Sequence, residues 1–222
     1  MEIKNKAQHD PVAELPMVEA YMRWALMAAE QEIGSQALEI VLRENGLEKF
    51  VNHYPPANLK LNHNITVGDY TNLWTGLTQF FGADGKSKSI KVGRLSTKPA
   101  LENQGKLFNF TSRTAIKLLP LSSQIKAVLD GIQGDIEKVY KGSGYSIDVR
   151  IEDRGDKWAY IDESCAICAG KETNMPMCWG WVGTLEESLT WLTGKHFEID
   201  QVECRAMGAS GCAWEISKTI KL

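Results

Sequence analysis

The five cysteines of the chain constrain its fold and chemistry more than any other feature, because all of them lie in the last quarter of the sequence. Cys165 and Cys168 form a pair, Cys178 follows, and Cys204 and Cys212 stand on either side of a glycine-rich turn. The 164 residues before this cluster contain no cysteine. We therefore expect the chemistry of the chain in its last quarter, where separate segments must bring the thiols together.

The composition is that of a soluble globular protein, and it excludes several classes of function. Hydrophobic residues make up 43% of the 222 residues and charged residues 24%, so the chain can bury a core without disulfide bonds. A net charge of −3 gives no basic surface for nucleic acid. The first ten residues are too polar for a signal peptide, and no apolar run is long enough to span a membrane. We expect a cytoplasmic protein whose clustered cysteines bind a metal or react, rather than form structural disulfides.

Two nucleotide-binding motifs can be set aside. Gly85-Lys86-Ser87 has the letters that end a phosphate-binding P-loop, but that motif needs a glycine five residues earlier, where the chain has Phe80. No Gly-x-Gly-x-x-Gly segment follows a predicted strand, so a nicotinamide or flavin site of the Rossmann type has no support.

Hydrophobic periodicity predicts helices over the first two thirds of the chain, where apolar residues recur with spacings of three and four. The predicted helices are residues 11–31, 35–42, 67–81, 90–99, 101–119 and 121–141. The first of them is more apolar than a surface helix needs, which indicates either core packing or the face of a homodimer.

From residue 145 onward the apolar period changes to two, which is typical of half-buried strands. The predicted elements are strands at 145–151 and 158–162, a helix at 184–192, and strands at 196–205 and 212–217. This order predicts an α+β fold in which N-terminal helices pack on a small antiparallel sheet, with a β-β-α-β-β C-terminal part. Residues 1–10 are predicted to be a flexible tail. Residues 11–222 then form a single domain, mostly helical over 11–141, with the sheet and the cysteine-rich site in 145–218.

Three interpretations of the cysteines are open at this point. Cys165 and Cys168 have the Cys-x-x-Cys spacing of zinc ribbons and redox pairs. The hairpin brings Cys204 and Cys212 together, and Cys178 opens a helix whose N-terminal amides favour a thiolate. The group fits a zinc site with Cys178, Cys204 and Cys212 as ligands, or an iron–sulfur cluster or redox switch built from four of the five thiols. It also fits buried thiols that only fill apolar space.

Six segments of the chain carry a resemblance to a known family: residues 44–47, 54–56, 177–179, 183–194, 202–208 and 211–216. These segments resemble the 4-vinyl reductase domain family. The family takes its name from a protein associated with bacteriochlorophyll synthesis, and it supplies the sensor part of phenol- and toluene-responsive transcription activators. The resemblance implies a fold like that of TRAPP trafficking subunits, often dimeric through N-terminal helices.

The resemblance also implies a hydrophobic small-molecule pocket beside a bound zinc ion, with Cys178, Cys204 and Cys212 matching the metal ligands. The fourth ligand in the sensor members is a carboxylate three residues before the first hairpin cysteine, where this chain has Gln201. A neutral amide is a poor zinc ligand, so Cys165 or Cys168 is expected to complete a closed four-thiolate site. Glu203 alternates to the same side of the predicted strand as Gln201 and is a further candidate.

The predicted function is binding rather than catalysis. An aromatic molecule or a tetrapyrrole such as a chlorophyll precursor is the expected ligand, with Trp158, Tyr160 and Trp179 as pocket residues because they flank the cysteines. The protein would then be a metal-containing sensor, carrier or assembly factor that works as a homodimer or with a protein partner. One alternative is an iron–sulfur or thiol redox sensor. Another is a tetrapyrrole 4-vinyl reductase, which would need a hydride-donating cofactor for which the sequence shows no motif.

Overall fold

A computed structural model describes residues 2–104, 110–141 and 143–219, without the side chains of residues 103–104 and 110–113. The helices are α1 (Glu19–Ile33), α2 (Ser35–Glu44), α3 (Val67–Phe81), α4 (Gly85–Gln104), α5 (Phe110–Lys117), α6 (Leu121–Tyr140) and α7 (Trp179–Thr193). The strands are β1 (Ile3–Asn5), β2 (Pro16–Val18), β3 (Leu61–Thr66), β4 (Val149–Arg154), β5 (Lys157–Asp162), β6 (Lys171–Thr173), β7 (Ile199–Glu203) and β8 (Cys212–Ser217). Among the described helices, none is both long and apolar enough to cross a membrane.

The predicted α+β class is confirmed. Strands β4, β5, β8 and β7 form an antiparallel sheet in that order, with β6 and then α7 between the two hairpins. The first hairpin begins later than predicted, at Val149, because Val149 pairs with Asp162 at the end of β5 and residues 145–148 have no strand opposite them. One face of the sheet carries Tyr160, Trp214 and Ile216, which are buried against the helices.

The first predicted helix, residues 11–31, was too long. The chain instead forms a short 3-10 turn at Pro11–Glu14, the strand β2, and then α1. Pro16 explains the difference, because it restricts Leu15 to an extended conformation and lacks the N–H that a continuing helix would use. In α1 most apolar side chains, Met22 and Leu26 among them, are buried within the chain, which supports core packing.

The boundary predicted between the helices at residues 90–99 and 101–119 was also wrong. Helix α4 continues through Pro99 to Gln104, and α5 begins at Phe110. A proline removes one backbone hydrogen bond of a helix. Helix α4 nevertheless continues past Pro99, because it packs along both α1 and α7. The part of the prediction at residues 105–109 lies outside the described residues.

The N-terminal segment, predicted as a flexible tail, contains a strand. Residues 3–5 form β1, which pairs antiparallel with β6 just after the Cys165–Cys168 loop. Asp10 continues this attachment, because its carboxylate accepts a hydrogen bond of 2.8 Å from the Gly170 amide. The sequence of the segment does not predict this hydrogen bond, because Gly170 lies 160 residues from Asp10 in the chain.

Helices α4 and α7 approach closely at glycines. A Cβ atom built on Gly93 would overlap the carbonyl oxygen of Gly180, and one on Gly183 would overlap the carbonyl oxygen of Ile90. The missing side chains let the two backbones meet directly. This contact places α7, and with it Cys178, against the helical layer.

We expect Gly183→Ala to lower the free energy of unfolding by about 1–3 kcal/mol, because the new methyl group forces the α4 and α7 backbones apart. Urea unfolding followed by circular dichroism measures the change. Gly134→Ala is the matched control, since a Cβ at that α6 position meets nothing within 4 Å and should stabilise the helix by up to about 1 kcal/mol. Equal effects of the two substitutions would contradict the close approach.

Candidate metal centre and adjoining cavity

The structure gathers all five cysteine thiols into one buried group. Cys165 and Cys168 lie in the loop after β5, Cys178 precedes α7, Cys204 follows β7 and Cys212 begins β8. The thiol sulfurs of Cys165, Cys168, Cys178 and Cys212 all lie within 4.8 Å of one another. Cys204 adjoins this set, with its sulfur 3.9 Å from that of Cys178. Four separate segments of the chain therefore meet at a single point.

Hydrogen bonds from distant elements hold the Cys165–Cys168 loop in place. The Thr71 hydroxyl of α3 donates to the carbonyl oxygen of Ala166 at 2.7 Å. The Lys6 amide donates to the carbonyl oxygen of Gly170 at 2.8 Å, next to the bond between Gly170 and Asp10. Because these ties come from the helical layer and the N-terminal segment, the position of the two thiols depends on the whole fold.

A buried ion pair adjoins the thiols. The Arg205 Nη2 atom lies 3.0 and 3.1 Å from the two carboxylate oxygens of Asp10, and the side chains of Arg205 and Asp10 are only 12% and 4% exposed. Burial raises the pKa of Asp10, but the Gly170 amide and the Arg205 charge lower it by more, so the net shift is downward. The Arg205 amide also donates to the Cys212 sulfur at 3.4 Å. A positive charge thus lies beside the thiol group.

The pKa shifts of the thiols in this group differ in direction. Burial raises the pKa of Cys178 well above its usual range. The hydrogen bond with Cys165 raises the pKa of Cys168, but hydrogen bonds with Cys178 and two other cysteines lower it by more, to about 6. Some thiols of the group therefore keep their protons at neutral pH, whereas a bound divalent cation would favour the thiolate form of every ligand.

The spacing of the sulfurs fits a single tetrahedral ion. A zinc–sulfur bond of about 2.3 Å places the thiolates of a tetrahedral site about 3.8 Å apart. Here the Cys165–Cys178 and Cys178–Cys212 sulfur separations are both 3.7 Å, and the Cys168–Cys212 separation is 3.4 Å. An iron–sulfur cluster distributes its four thiolates over two or four irons, so at least some of the thiolates must stand farther apart than they do around one ion. The geometry therefore matches one zinc or iron ion.

The Gln201 side chain forms hydrogen bonds next to the thiols. Its side-chain oxygen accepts a hydrogen bond of 3.0 Å from the Cys178 amide, at the start of α7, and its side-chain nitrogen donates to the Glu203 carbonyl oxygen at 3.2 Å. The candidate ligand Glu203 does not share that side of β7, because a bulge interrupts the alternation between the two residues. Its carboxylate lies 3.8 Å from Arg154 and is 46% exposed.

A largely apolar cavity of about 190 Å³ lies between the helices and the thiol loop. Its walls come from α1, α3, α4, α6, α7 and the residues that follow β5. Cys165 lines the cavity and also belongs to the thiol group, so the two sites share a wall. Trp181, which lines the cavity as well, has an indole N–H with no hydrogen-bond partner among the described residues.

Two carboxyl groups, Asp135 and Asp162, are the charged side chains among the described residues of the cavity wall. Asp162 is 8% exposed, and one of its oxygens accepts a hydrogen bond of 2.7 Å from the Ser164 amide. Burial raises the pKa of Asp162 to about 7. A carboxyl group that is easily protonated therefore faces an apolar space.

The predicted pocket residues Trp158, Tyr160 and Trp179 are not among those that line this cavity. The Trp158 indole donates to the backbone and side-chain oxygens of Ser122 on α6. Tyr160 is fully buried one layer behind the wall, with its ring centroid 5.9 Å from that of Trp181. Trp179 lies under the Lys86 ammonium group, 4.7 Å from the ring centroid.

Sequence reasoning missed the aromatic residues that the helices contribute to the cavity, such as Tyr21, Trp24 and Tyr70. Their helical spacing is equally typical of core packing, so no sequence signal separates the two roles. Asp162 did carry a signal. It continues the inward alternation of Trp158 and Tyr160, and a carboxyl group on the buried face of a strand is unusual.

Comparisons with known proteins agree with the resemblance seen in the sequence. Residues 158–218 match the family model of the 4-vinyl reductase domain, which confirms the resemblance for β5 through β8 and includes all five cysteines. The similar segments at residues 44–47 and 54–56 lie outside this match. No curated protein matches the chain.

Solved structures with a similar fold include H-NOX proteins. One from K. algicida, in the Fe(II) unliganded form, has a TM-score of 0.59 at 10% identity and covers 93% of this chain and 98% of its own. One from S. oneidensis, in the Fe(II)NO ligation state, has a TM-score of 0.56 at 11% identity, with 90% and 98% covered. A T. Tengcongensis H-NOX mutant has a TM-score of 0.58 at 15% identity, with 90% and 97% covered. At these identities the likeness shows a shared fold, and the TRAPP-like fold stays a prediction.

We expect Asp10→Asn to lower the free energy of unfolding at pH 7 by about 3 kcal/mol, because it leaves the buried Arg205 guanidinium without its carboxylate. The lowered pKa of Asp10 means that its contribution is present above the unfolded-state pKa and is lost as the pH falls through the folded-state pKa. Urea unfolding from pH 7 to acid should therefore show the difference between the two proteins narrowing at low pH. Asp130→Asn, which removes an exposed pair with Lys126, should cost no more than about 0.5 kcal/mol.

Proposed function

We propose that this chain, whose residues 158–218 match the 4-vinyl reductase domain, binds a small aromatic molecule in the cavity and one metal ion in the adjoining thiol group. One observation carries the proposal: Cys165 belongs both to the cavity wall and to the set of four thiols spaced for a single ion. A ligand in the cavity therefore contacts the loop that the metal would fix. Such an arrangement suits a sensor or carrier better than a catalyst.

Zinc is the proposed ion, with Cys165, Cys168, Cys178 and Cys212 as its ligands. Three of the six separations between their sulfurs are 3.4–3.7 Å and all six are within 4.8 Å, which supports one tetrahedral ion over an iron–sulfur cluster. Zinc with four thiolate ligands has no open position, so its chemical contribution is to stabilise the loop rather than to activate water. Cys204 is then the fifth, unligated thiol of the group.

The size of the cavity favours an aromatic ligand with one ring. An engineered cavity of about 150 Å³ in another protein binds benzene, so a space of about 190 Å³ accepts one ring with a short substituent. A tetrapyrrole or a haem, with four such rings in one macrocycle, needs a larger space than this, so the volume favours the single ring. The haem chemistry of H-NOX proteins is therefore not transferred to this chain, and no histidine stands among the described residues of the cavity wall to ligate haem iron.

The walls of the cavity supply both shape and orientation. Trp24 and Trp181 contribute aromatic surface to the wall, and the unpartnered indole N–H of Trp181 is an available donor for an oxygen or nitrogen of the ligand. A mostly apolar cavity with a few convergent polar groups is typical of a small-molecule site. The homodimer and the protein partner stay predictions from the sequence.

We expect the purified protein to be colourless and to contain one zinc ion per chain by elemental analysis. Cys165→Ser should lose most of this zinc and several kcal/mol of stability, because the binding energy of a structural ion is part of the folding free energy. Cys204→Ser is the matched control and should keep its zinc.

The opposite pattern, in which Cys204→Ser loses zinc and Cys165→Ser retains it, would instead support Cys178, Cys204 and Cys212 as the core of the site. Visible absorption from an anaerobically purified sample would indicate an iron site. Apoprotein that unfolds at the same urea concentration as the wild type would contradict a structural ion.

We further expect a benzene derivative with one short substituent to bind the wild-type protein, and the binding to be lost in Ala127→Phe, because that α6 side chain lies in the cavity wall. Isothermal titration calorimetry measures the affinity. Ser123→Phe, one turn earlier on α6 at an exposed position outside the cavity wall, should bind as the wild type does. Retention of binding in Ala127→Phe would place the ligand elsewhere.

A further inference from the structure

The charge of the cavity wall is one-sided. Asp135 and Asp162 line the cavity, and no lysine, arginine or histidine does so among the residues whose side chains the structure describes. Neutral polar groups such as Ser188 and Thr184 are occupied with hydrogen bonds inside their own helix. The wall therefore offers two carboxyl groups without a fixed positive partner.

Asp162 is the more deeply buried of the two carboxyl groups. It forms a hydrogen bond with the Ser164 amide, and in the described part of the chain it has no ion pair. The nearby Arg205 is already bound by both oxygens of Asp10, which limits what it can give to Asp162. A buried carboxylate without a counter-charge is unfavourable, so a cation that entered the cavity would gain a strong partner.

Aromatic rings surround the same space. Among the described residues, the aromatic side chains that line it are Tyr21, Trp24, Tyr70, Tyr140, Trp181 and Trp191. Ring faces attract ammonium groups through their quadrupoles, and aromatic walls next to a carboxylate form the usual site for organic cations. The thiol group would add to this preference, because four thiolates around the proposed divalent ion would carry a net negative charge next to the wall at Cys165.

We propose that the cavity is selective for a small aromatic ammonium ion, with its ring between the aromatic walls and its ammonium group on the carboxylate of Asp162. This inference rests on the proposed function, since it names the chemical class of the ligand for the same cavity. The volume of about 190 Å³ limits the ligand to one ring with a short aminoalkyl arm.

Three ligands of matched size test the proposal on the wild-type, metal-loaded protein: benzylammonium, benzyl alcohol and benzoate. Isothermal titration calorimetry at neutral pH should give an affinity for benzylammonium at least about tenfold higher than for benzyl alcohol, with benzoate weakest. Benzyl alcohol binding as tightly as benzylammonium, or more tightly, overturns the cation selectivity but leaves the proposed function in place. Failure of all three to bind overturns both.

The variant Asp162→Asn locates the selectivity. The amide keeps an oxygen for the Ser164 amide but loses the charge, so the affinity for benzylammonium should fall to that for benzyl alcohol, which itself stays within about twofold of wild type. Asp130→Asn, on the exposed side of α6, should leave all affinities unchanged.

Unchanged selectivity in Asp162→Asn overturns the role of this carboxylate. Retained binding of benzyl alcohol and retained zinc show that the variant is folded, and if it does not fold, the three-ligand comparison on the wild type decides.

Discussion

Five buried thiols in van der Waals contact are the constraint on which the rest of this structure depends. Their sulfurs come from four separate segments, and the pKa of Cys178 is raised by burial while that of Cys168 is lowered to about 6 by its neighbours. A bound divalent cation would stabilise such a group, because each thiolate in a dry site needs compensating positive charge. The ion pair of Arg205 with Asp10 supplies fixed charge at the edge of the group and holds the N-terminal segment there.

The sheet layer and the helical layer of the fold contribute to different sites. The sheet, its connecting loop and the start of α7 supply all the thiols, whereas the helices supply most of the cavity. The glycines at which α4 and α7 meet bring the layers close enough for Cys165 to serve both sites. The cavity and the thiol group are therefore physically connected through one short loop. Thr71 holds this loop at Ala166 and Asp10 holds it at Gly170, on either side of Cys168.

Local patterns predicted most of the elements and the thiol group, but not the cavity. Helix α3 was predicted to the residue, because the change from turn residues to helical apolar spacing is sharp at both ends. The hairpin of β7 and β8 was recognised, and the cysteines were expected to meet. Pro16 and Pro99 led to opposite errors. Pro16 was placed inside a helix but begins a strand, whereas Pro99 was taken to end a helix but lies within one, because tertiary packing decides which outcome a proline has. The cavity depends on which helix faces converge and leave a space, and periodicity only shows that a face is apolar.

Gln201 shows how the chain adapts its ligand set. The resemblance implied a carboxylate at this position, together with three cysteines, whereas this chain places two more thiols, Cys165 and Cys168, in the same buried volume. A carboxylate added to so many thiols would raise the negative charge of a dry site without a matching cation. The neutral amide avoids that cost and also satisfies the Cys178 amide at the first turn of α7, a donor that no backbone carbonyl can reach. The substitution and the extra thiols are therefore consistent with each other: under the proposed zinc site the loop after β5 would provide anionic ligands, whereas Gln201 of β7 binds the amide at the start of the helix that follows Cys178.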